Sequence, residues 1–286
     1  QRADDAMYRA KEAGRNTYRF HGEGGPAVEV PEVGEEELIR ALEHDELALA
    51  YQPYYRRGGA IAGFEALLRW RHPEHGELAP AHFLPLAEQC DLILAVGDWV
   101  LRRACRQARR WNANRPDAPL GLAVNLSRRQ LVDPRFAERV GRVLAATGFA
   151  PQLLELDAAE SILLGDLAPL MQNLSHLRTL GVRIAVDDFG GGLGGLERLR
   201  ELPVDAVKID RSCVSRLTDP GPDQNAAESV IAQAHRLHME VFAEGVETPE
   251  QLHFLQNHAC DHTQGFYHQR PVAAEEVEGL LESDPR

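Results

Sequence analysis

Short apolar runs alternate with longer segments of helical periodicity along most of the chain. Eight runs have the length and composition of strands, at residues 47–55, 60–70, 120–127, 153–158, 182–189, 205–210, 239–246 and 262–267. Amphipathic helical segments lie between most of them, at residues 86–112, 134–147, 166–180 and 223–238. Eight strands with intervening helices in about 250 residues is the proportion of a (β/α)8 barrel.

The first two strand runs depart from this alternation. Only the sequence RRGG, residues 56–59, joins them. That is too short for the helical crossover that parallel strands need, so a hairpin is expected. The predicted fold is therefore α/β, a modified (β/α)8 TIM barrel with one antiparallel strand. A doubly wound open sheet is the main alternative, because periodicity alone does not distinguish the two.

The first 34 residues follow a different pattern. Residues 3–14 predict a short amphipathic helix that ends at Gly14, and a short strand follows within residues 15–20. Residues 21–34 are rich in Gly, Pro, Val and Glu without periodicity, which predicts a linker. The chain begins with Gln1 and has no signal-like segment, so we expect a fragment of a longer protein.

Composition limits the possible partners and surroundings. The chain has 286 residues and a net charge of −13, which disfavours binding to duplex DNA or RNA. No apolar run approaches the length of a membrane span, so no membrane contact is expected from this chain. Its four cysteines are widely spaced without a CxxC pair, which favours reduced thiols and a cytoplasmic location.

Polar side chains follow the apolar residues at nearly every predicted strand end, where barrel enzymes place their active sites. Each one alone is an ordinary loop or turn residue, but the set is harder to explain in that way. Carboxylates about 4 Å apart repel each other by roughly 4 kcal/mol at an effective dielectric near 20, so either some of them stay protonated or a divalent cation lies among them. Carboxylate and amide oxygens suit Mg²⁺ or Mn²⁺. The set comprises Glu65, Arg69, Asn125, Asp157, Asp187, Asp188, Lys208, Glu244, Glu247 and Gln264.

The segment RIAVDDFGGGLGG, residues 183–195, places two aspartates together at the end of an apolar strand. Adjacent carboxylates can serve two cations, with one carboxylate bridging them. A pair of cations about 3.5–4 Å apart activates water for in-line attack on phosphorus. Asp187 and Asp188 are therefore interpreted as metal ligands.

Several short motifs, taken in order, resemble those of EAL domains, the phosphodiesterases of cyclic di-GMP. They are FEALLRW at 64–70, YQP at 51–53, VNLS at 124–127, VDDFG at 186–190, VKID at 207–210, AEGVET at 243–248 and QGF at 264–266. The resemblance extends over residues 35–286. Residues 1–20 resemble the C-terminal end of a GGDEF domain, so the linker would join the two.

The resemblance implies a homodimer that hydrolyses cyclic di-GMP to linear pGpG with Mg²⁺ or Mn²⁺, two ions per active site. By matching motif, the metal ligands would be Glu65, Asn125, Asp157, Asp187, Asp188 and Glu244. Lys208 would orient the attacking water, with Glu244 a further candidate base, Glu247 positioning Lys208 and Gln264 contacting the water or metal shell. Gln52, Leu68 and Arg69 would contact the dinucleotide, and Glu160 would stabilise the loop after the aspartate pair.

Two departures from the family pattern bear on catalysis. Asp157 stands where the family usually has Glu, so its carboxylate is one methylene shorter, and Ala159 replaces the usual Thr. The loop GGGLGG, residues 190–195, lacks the usual hydroxyls and aromatic ring, and its glycines make it costly to order. Both changes are expected to weaken metal binding and catalysis.

Three functional hypotheses follow. The first is an active cyclic di-GMP phosphodiesterase, which the otherwise complete set of site residues favours. The second is a catalytically degenerate EAL domain that acts as a cyclic di-GMP receptor, which the two departures favour. The third, a structural module that binds no nucleotide, fits poorly with the retained site residues.

Overall fold

The computed structural model describes residues 33–163, 168–189, 199–217 and 222–284. Contacts within the chain divide it into two compact units. One unit comprises the described residues up to Ala48 together with Arg69–Leu92, and the other comprises Leu49–Leu68 and the described residues from Ile93 onward. The expected GGDEF remnant and nearly all of the expected linker lie outside the described residues.

Eight strands of the described residues close into a barrel, in the order β1-β9-β8-β7-β6-β5-β4-β2, with β2 pairing back to β1. β1 runs antiparallel to β9, whereas β2 and β4 through β9 pair in parallel. The predicted barrel with one antiparallel strand is confirmed, and closure excludes the open sheet. The strands are β1 (Leu47–Arg56), β2 (Ile61–His72), β3 (Gly76–Leu78), β4 (Gly121–Leu126), β5 (Leu154–Ala159), β6 (Arg183–Phe189), β7 (Ala206–Ile209), β8 (Glu240–Ala243), β9 (His262–Thr263) and β10 (Val272–Ala273).

The antiparallel strand arises from the hairpin expected at residues 56–59. The N–H of Arg56 donates to the carbonyl of Ala60 over 2.9 Å, and the N–H of Gly59 donates to the carbonyl of Arg56 over 2.7 Å. These bonds close a tight turn. The sequence analysis did not anticipate two short strands, β3 and β10, because runs of two or three residues carry no measurable alternation.

Among the described residues, helices follow β4, β5, β7 and β8 before the next barrel strand begins. They are α1 (Glu35–Glu43), α2 (Leu84–Gln89), α3 (Ile93–Asn112), α4 (Arg128–Val132), α5 (Phe136–Thr147), α6 (Glu160–Leu163), α7 (Ala168–Leu180), α8 (Arg211–Val214), α9 (Pro222–Arg236), α10 (Pro249–Asn257) and α11 (Val277–Ser283). The helix predicted at 86–112 is interrupted, because Asp91 has a left-handed φ of +62°. None of the helices among the described residues combines the length and apolarity that crossing a bilayer requires.

The barrel interior is built from small residues and two aromatic rings. Ala123, Ala185 and Ala206 are buried in one cluster with Tyr54 and Phe242. The two rings meet edge to face with their centroids 5.3 Å apart, a favourable aromatic geometry. Because the alanines contribute little volume, the two aromatic rings fill the barrel interior. They form a packed apolar layer beneath the polar residues at the strand ends.

The smaller unit has its own packing around Trp70. The Trp70 ring is buried, meets the Phe83 ring nearly at right angles at 5.4 Å, and its Nε1–H donates to Glu46 Oε2 over 3.0 Å. α1 contributes Leu38 and Ala41 to the buried residues of this unit.

Candidate functional site

The carboxyl ends of the strands bring most of the predicted polar residues together around two centres. The first is Glu65 on β2, which is almost fully buried. Its Oε1 accepts from Asn125 Nδ2 of β4 and its Oε2 from Gln264 Nε2 beyond β9, both over 2.7 Å. Gln264 also donates to Gln52 Oε1 of β1 over 3.2 Å. Two amides therefore fix the Glu65 carboxylate from neighbouring strands.

The second centre is Lys208 on β7, whose side chain is 1% exposed. Its Nζ lies 3.1 Å from Glu244 Oε1 just beyond β8 and 2.7 Å from Asp157 Oδ2 on β5. The contact with Asp157 has the distance of an ion pair but not the angles of a hydrogen bond, and Asp157 Oδ1 has no hydrogen-bond partner in the structure. One ammonium thus bridges two buried carboxylates, one of which is incompletely satisfied.

The site holds more negative charge than Lys208 neutralises. Burial raises the pKa of Asp157 and of Glu244 well above their ordinary values; the Lys208 ammonium opposes this, but Asp187 and Glu65 add to it. Burial alone would lower the pKa of Lys208, yet Asp157 and Glu244 hold it well above its ordinary value. Four carboxylates facing one ammonium form an arrangement that a further cation would stabilise.

The aspartate pair lies on a β-bulge. β6 and β7 pair at Val186–Val207 and again at Phe189–Ile209, so Asp187 and Asp188 together face the single residue Lys208. Asp188 has a left-handed φ of +54°, and its N–H donates to Asp187 Oδ1 over 2.8 Å. The bulge breaks the strand alternation that would otherwise send neighbouring side chains to opposite faces.

Among the groups that titrate near neutrality, Asp187 has the most clearly shifted pKa. Burial raises its pKa to about 6, partly offset by Lys208 and reinforced by the negative charges of Asp188 and Glu65. A non-glycine residue at a positive φ next to such a group marks a strained backbone of the kind that clusters at functional sites.

The donor set fits Mg²⁺ or Mn²⁺ by its chemistry. The side chains offer carboxylate and amide oxygens only, one oxygen of Asp157 is buried without a partner, and the excess charge is negative. Among the described residues, however, no three His, Cys, Asp or Glu side chains stand close enough to hold a metal ion as they are.

Glu247 has a partner other than the expected Lys208, and its role at Lys208 stays a prediction. Glu247 was expected to position Lys208, but its carboxylate pairs with the guanidinium of Arg211, with Oε1 2.5 Å from Nη2. Lys208 takes its carboxylate partners from Asp157 and Glu244 instead. Glu247 lies three residues beyond Glu244 on a turn that carries its exposed side chain away from the barrel interior. Sequence order could not reveal this, because Arg211 comes from a different strand end.

The positions of three other predicted residues do not test their expected roles. Leu68 is buried on β2. Arg69 belongs to the smaller unit, where its Nε lies 3.7 Å from Glu77 Oε1. Glu160 begins α6, but its expected partner, the glycine-rich loop 190–195, lies outside the described residues. The roles of these three stay predictions.

Sequence reasoning missed two charged residues that bear on the site. Arg211 follows the VKID motif directly and carried no signal of its own. Glu155 lies two residues before Asp157 on β5, is buried, and adds its charge to the repulsion that raises the pKa of Asp157. Strand alternation could have identified Glu155, because residues i and i+2 face the same side.

Comparisons with known proteins identify relatives of this chain. The family model described as EAL domain matches residues 35–271. An uncharacterized signaling protein of Caulobacter vibrioides is 42% identical over 272 residues, covering 94% of this chain and 33% of its own length. The cyclic di-GMP phosphodiesterase NbdA of Pseudomonas aeruginosa is 39% identical over 278 residues, covering 96% of this chain and 35% of its own.

A solved structure agrees with the fold. The PaMucR phosphodiesterase in complex with c-di-GMP superposes with a TM-score of 0.80 at 39% identity, covering 85% of this chain and 98% of that one. The chain spans about a third of the length of the two curated relatives. With the family model matched over most of its length and its polar strand ends in family order, the chain belongs to the EAL domain family.

Proposed function

We propose that this chain is a cyclic di-GMP phosphodiesterase that hydrolyses its substrate to linear pGpG with two Mg²⁺ or Mn²⁺ ions. The observation that carries the proposal is the convergence of buried carboxylates on Lys208 at the carboxyl ends of the barrel strands. The similarity to relatives named as cyclic di-GMP phosphodiesterases supports the choice of substrate.

The proposed metal ligands are Glu65, Asn125, Asp157, Asp187, Asp188 and Glu244. Ions bound there would polarise the phosphoryl oxygens and lower the pKa of the attacking water. The amides of Asn125 and Gln264 hold the Glu65 carboxylate in one orientation, so this ligand needs little reorganisation when an ion binds.

Lys208 and Glu244 act on the water in this proposal. Lys208 Nζ is a fixed donor that orients the water oxygen, while Glu244, 3.1 Å from that ammonium, accepts the proton. Burial raises the pKa of Glu244 well above its ordinary value, which makes its carboxylate a stronger base. Gln264, bonded to Glu65 and Gln52, offers its amide to the water or metal shell.

Substrate contacts are assigned to Gln52, Leu68 and Arg69. Gln52 is held in place because its Nε2 donates to the carbonyl of Gln269 over 3.1 Å. Arg69 supplies the positive charge that a phosphodiester requires, through charge-assisted hydrogen bonds. Glu160 is assigned to support of the loop at 190–195.

The wider organisation completes the proposal. It includes a cytoplasmic homodimer, a GGDEF remnant at residues 1–20, a linker at residues 21–34 and an EAL domain at residues 35–286. Light scattering of the full chain measures the dimer directly.

The test is incubation of the purified chain with cyclic di-GMP and Mg²⁺ or Mn²⁺, with pGpG followed by chromatography. Glu65→Ala is the matched control, because it removes the carboxylate at the first centre. The proposal expects pGpG from the wild type and none from the variant. A folded wild type that binds cyclic di-GMP without producing pGpG would instead be a receptor.

A further inference from the structure

Arg211 occupies a fixed position next to the second centre of the site. It is the first residue of α8, which begins directly after β7 and the Asp210 cap. Asp210 Oδ1 accepts the N–H of Ser212 over 2.9 Å, so the start of the helix is held in place. Lys208 lies three residues earlier on the same segment.

The stem of Arg211 packs on the backbone of Gly245. A Cβ atom at residue 245 would lie 2.2 Å from Arg211 Cγ, and Gly245 has a left-handed φ of +69°. Both facts require glycine at this position, since a side chain would be strained and would displace the arginine. Gly245 is the residue after Glu244, so the contact bears directly on the turn that carries this carboxylate.

The guanidinium of Arg211 completes the contact. Its Nη2 lies 2.5 Å from Glu247 Oε1, and its Cζ stands 5.9 Å from the centroid of the exposed Phe266 ring. The aliphatic stem of Arg211 therefore contacts the start of the turn at residues 244–247, and its guanidinium contacts the end of this turn.

The same turn is anchored to the segment after β9. The N–H of Val246 donates to the carbonyl of Gln264 over 3.0 Å, and its carbonyl accepts from the N–H of Tyr267 over 2.9 Å. A Cβ atom at Gly265 would lie 2.1 Å from the Val246 oxygen, so this approach also depends on glycine. The start of the turn is joined to the Lys208 segment by the backbone, since the N–H of Glu244 donates to the carbonyl of Ile209 over 3.1 Å. Arg211 adds a side-chain connection from the same segment to the far end of the turn at Glu247.

We infer that Arg211 is a positioning residue that sets the separation between Lys208 and Glu244, with Glu247 as its anchor. The inference rests on the proposed function for its kinetic consequences. Within the described part of the chain, the side chain of Arg211 contacts none of the proposed metal ligands. It acts by holding the strand end of Lys208 against the turn of Glu244, whose side chains meet over 3.1 Å.

The exposure of the pair makes the inference testable without loss of the fold. The Arg211 and Glu247 side chains are 44% and 42% exposed, and exposed ion pairs contribute little to stability. A displacement of about 1 Å at a reacting group, by contrast, reduces turnover up to roughly 100-fold. Removing Arg211 should therefore affect the site far more than the unfolding transition.

The experiment compares Arg211→Ala, Arg211→Lys and Glu247→Ala with Arg142→Ala, using the full chain. Arg142 pairs with Glu138 on the exposed face of α5 at 3.8 Å and serves as the matched control. The readouts are kcat and KM for cyclic di-GMP with Mn²⁺, the dissociation constant of Mn²⁺ without substrate, and the thermal unfolding midpoint.

Arg211→Ala is expected to lower kcat roughly 10- to 100-fold and to weaken Mn²⁺ binding severalfold, with KM and the unfolding midpoint nearly unchanged. Arg211→Lys keeps the stem on Gly245 and should recover part of the loss. Removing Glu247 as well should add little to the effect of Arg211→Ala, because the two act as one unit.

Equal kinetics and equal Mn²⁺ binding in Arg211→Ala and Arg142→Ala would overturn the inference. If the wild type binds Mn²⁺ but forms no pGpG, the proposed function fails, while the Mn²⁺ dissociation constants still decide whether Arg211 positions the site.

Discussion

The two ends of the barrel both carry charged side chains, but they balance them differently. At the amino end, Arg183 on β6 lies 2.5 Å from Glu240 and 3.4 Å from Glu155, and His235 lies 2.8 Å from Asp261. At the carboxyl end, four carboxylates share the single ammonium of Lys208. Each of these three acids at the amino end has a cationic or histidine partner, whereas the four carboxylates at the carboxyl end share one ammonium.

The pKa values follow this difference. The hydrogen bond from His262 and the charge of Arg183 lower the pKa of Glu240 to about 2, whereas burial raises the pKa of Asp187 to about 6. Glu155 is intermediate, since burial raises its pKa and one of its oxygens lacks a partner. Balanced charges stabilise the fold, and unbalanced ones mark the end of the barrel that works on a ligand.

Removing the ammonium should have the largest effect on activity. Lys208→Met keeps the approximate length of the side chain but leaves Glu244 without its donor and the water without its orienting group. We expect kcat/KM for cyclic di-GMP to fall by about 10³-fold. A variant within tenfold of the wild type would show that Lys208 is a structural counterion only.

The corresponding change at the amino end should affect stability instead. Arg183→Met leaves Glu155 and Glu240 without their shared cation, so the free energy of unfolding in urea should fall by roughly 2–3 kcal/mol, less than for a fully buried pair. Activity per folded molecule should stay within about threefold of the wild type, because this face of a barrel serves stability. A loss of activity per folded molecule far beyond threefold, with little loss of unfolding free energy, would contradict the proposed difference between the two ends of the barrel.

Burial of Asp187, reinforced by the charges of Asp188 and Glu65, predicts a pH dependence of stability without metal. Because the folded pKa of Asp187 is about 6 and its ordinary value is 3.8, the folded chain holds a proton that the unfolded chain has already released between these values. Stability therefore falls as pH rises through this window and stays lower above it.

Asp187→Asn removes this effect. At pH 8 without metal it should raise the free energy of unfolding by on the order of 1–3 kcal/mol relative to the wild type, and the gain should shrink towards pH 4. Asp117→Asn, at an exposed position, is the control and should change neither value. An equal gain at both pH values would attribute the effect to something other than the carboxylate charge.

The smallest expected effect concerns the length of one ligand. Asp157→Glu returns the methylene that the family pattern has, so the Mn²⁺ dissociation constant should decrease roughly tenfold. Glu155→Asp makes the opposite change two residues earlier on the same strand and should leave Mn²⁺ binding unaltered. Identical Mn²⁺ titrations for Asp157→Glu and the wild type would show that the shorter side chain is not what limits affinity.

The sequence predicted the barrel and the polar side chains at its strand ends, because both depend on local patterns. The alternation of short apolar runs with helical segments located the eight barrel strands. The four residues at 56–59 were too few for anything but a hairpin. The polar set was identified from the rule that barrel enzymes place their active sites at the carboxyl ends of the strands. These inferences needed no knowledge of which strand neighbours which.

Long-range geometry was beyond the sequence. The bulge at Asp187 and Asp188 depends on the register between β6 and β7, and the pairing of Glu247 with Arg211 depends on a turn meeting a helix from another strand. Asp157 was expected as a metal ligand, yet its carboxylate lies 2.7 Å from Lys208. A buried ammonium selects its partners in three dimensions, which residue spacing alone does not encode.

The most direct test of the charge imbalance is calorimetric titration of the metal-stripped chain with Mn²⁺ at pH 8. The account predicts saturable binding of two ions per chain, lost in Glu65→Ala and Asp187→Asn but kept in Arg183→Met. A folded wild type that takes up no Mn²⁺, or that binds it equally well after the two site substitutions, would contradict it.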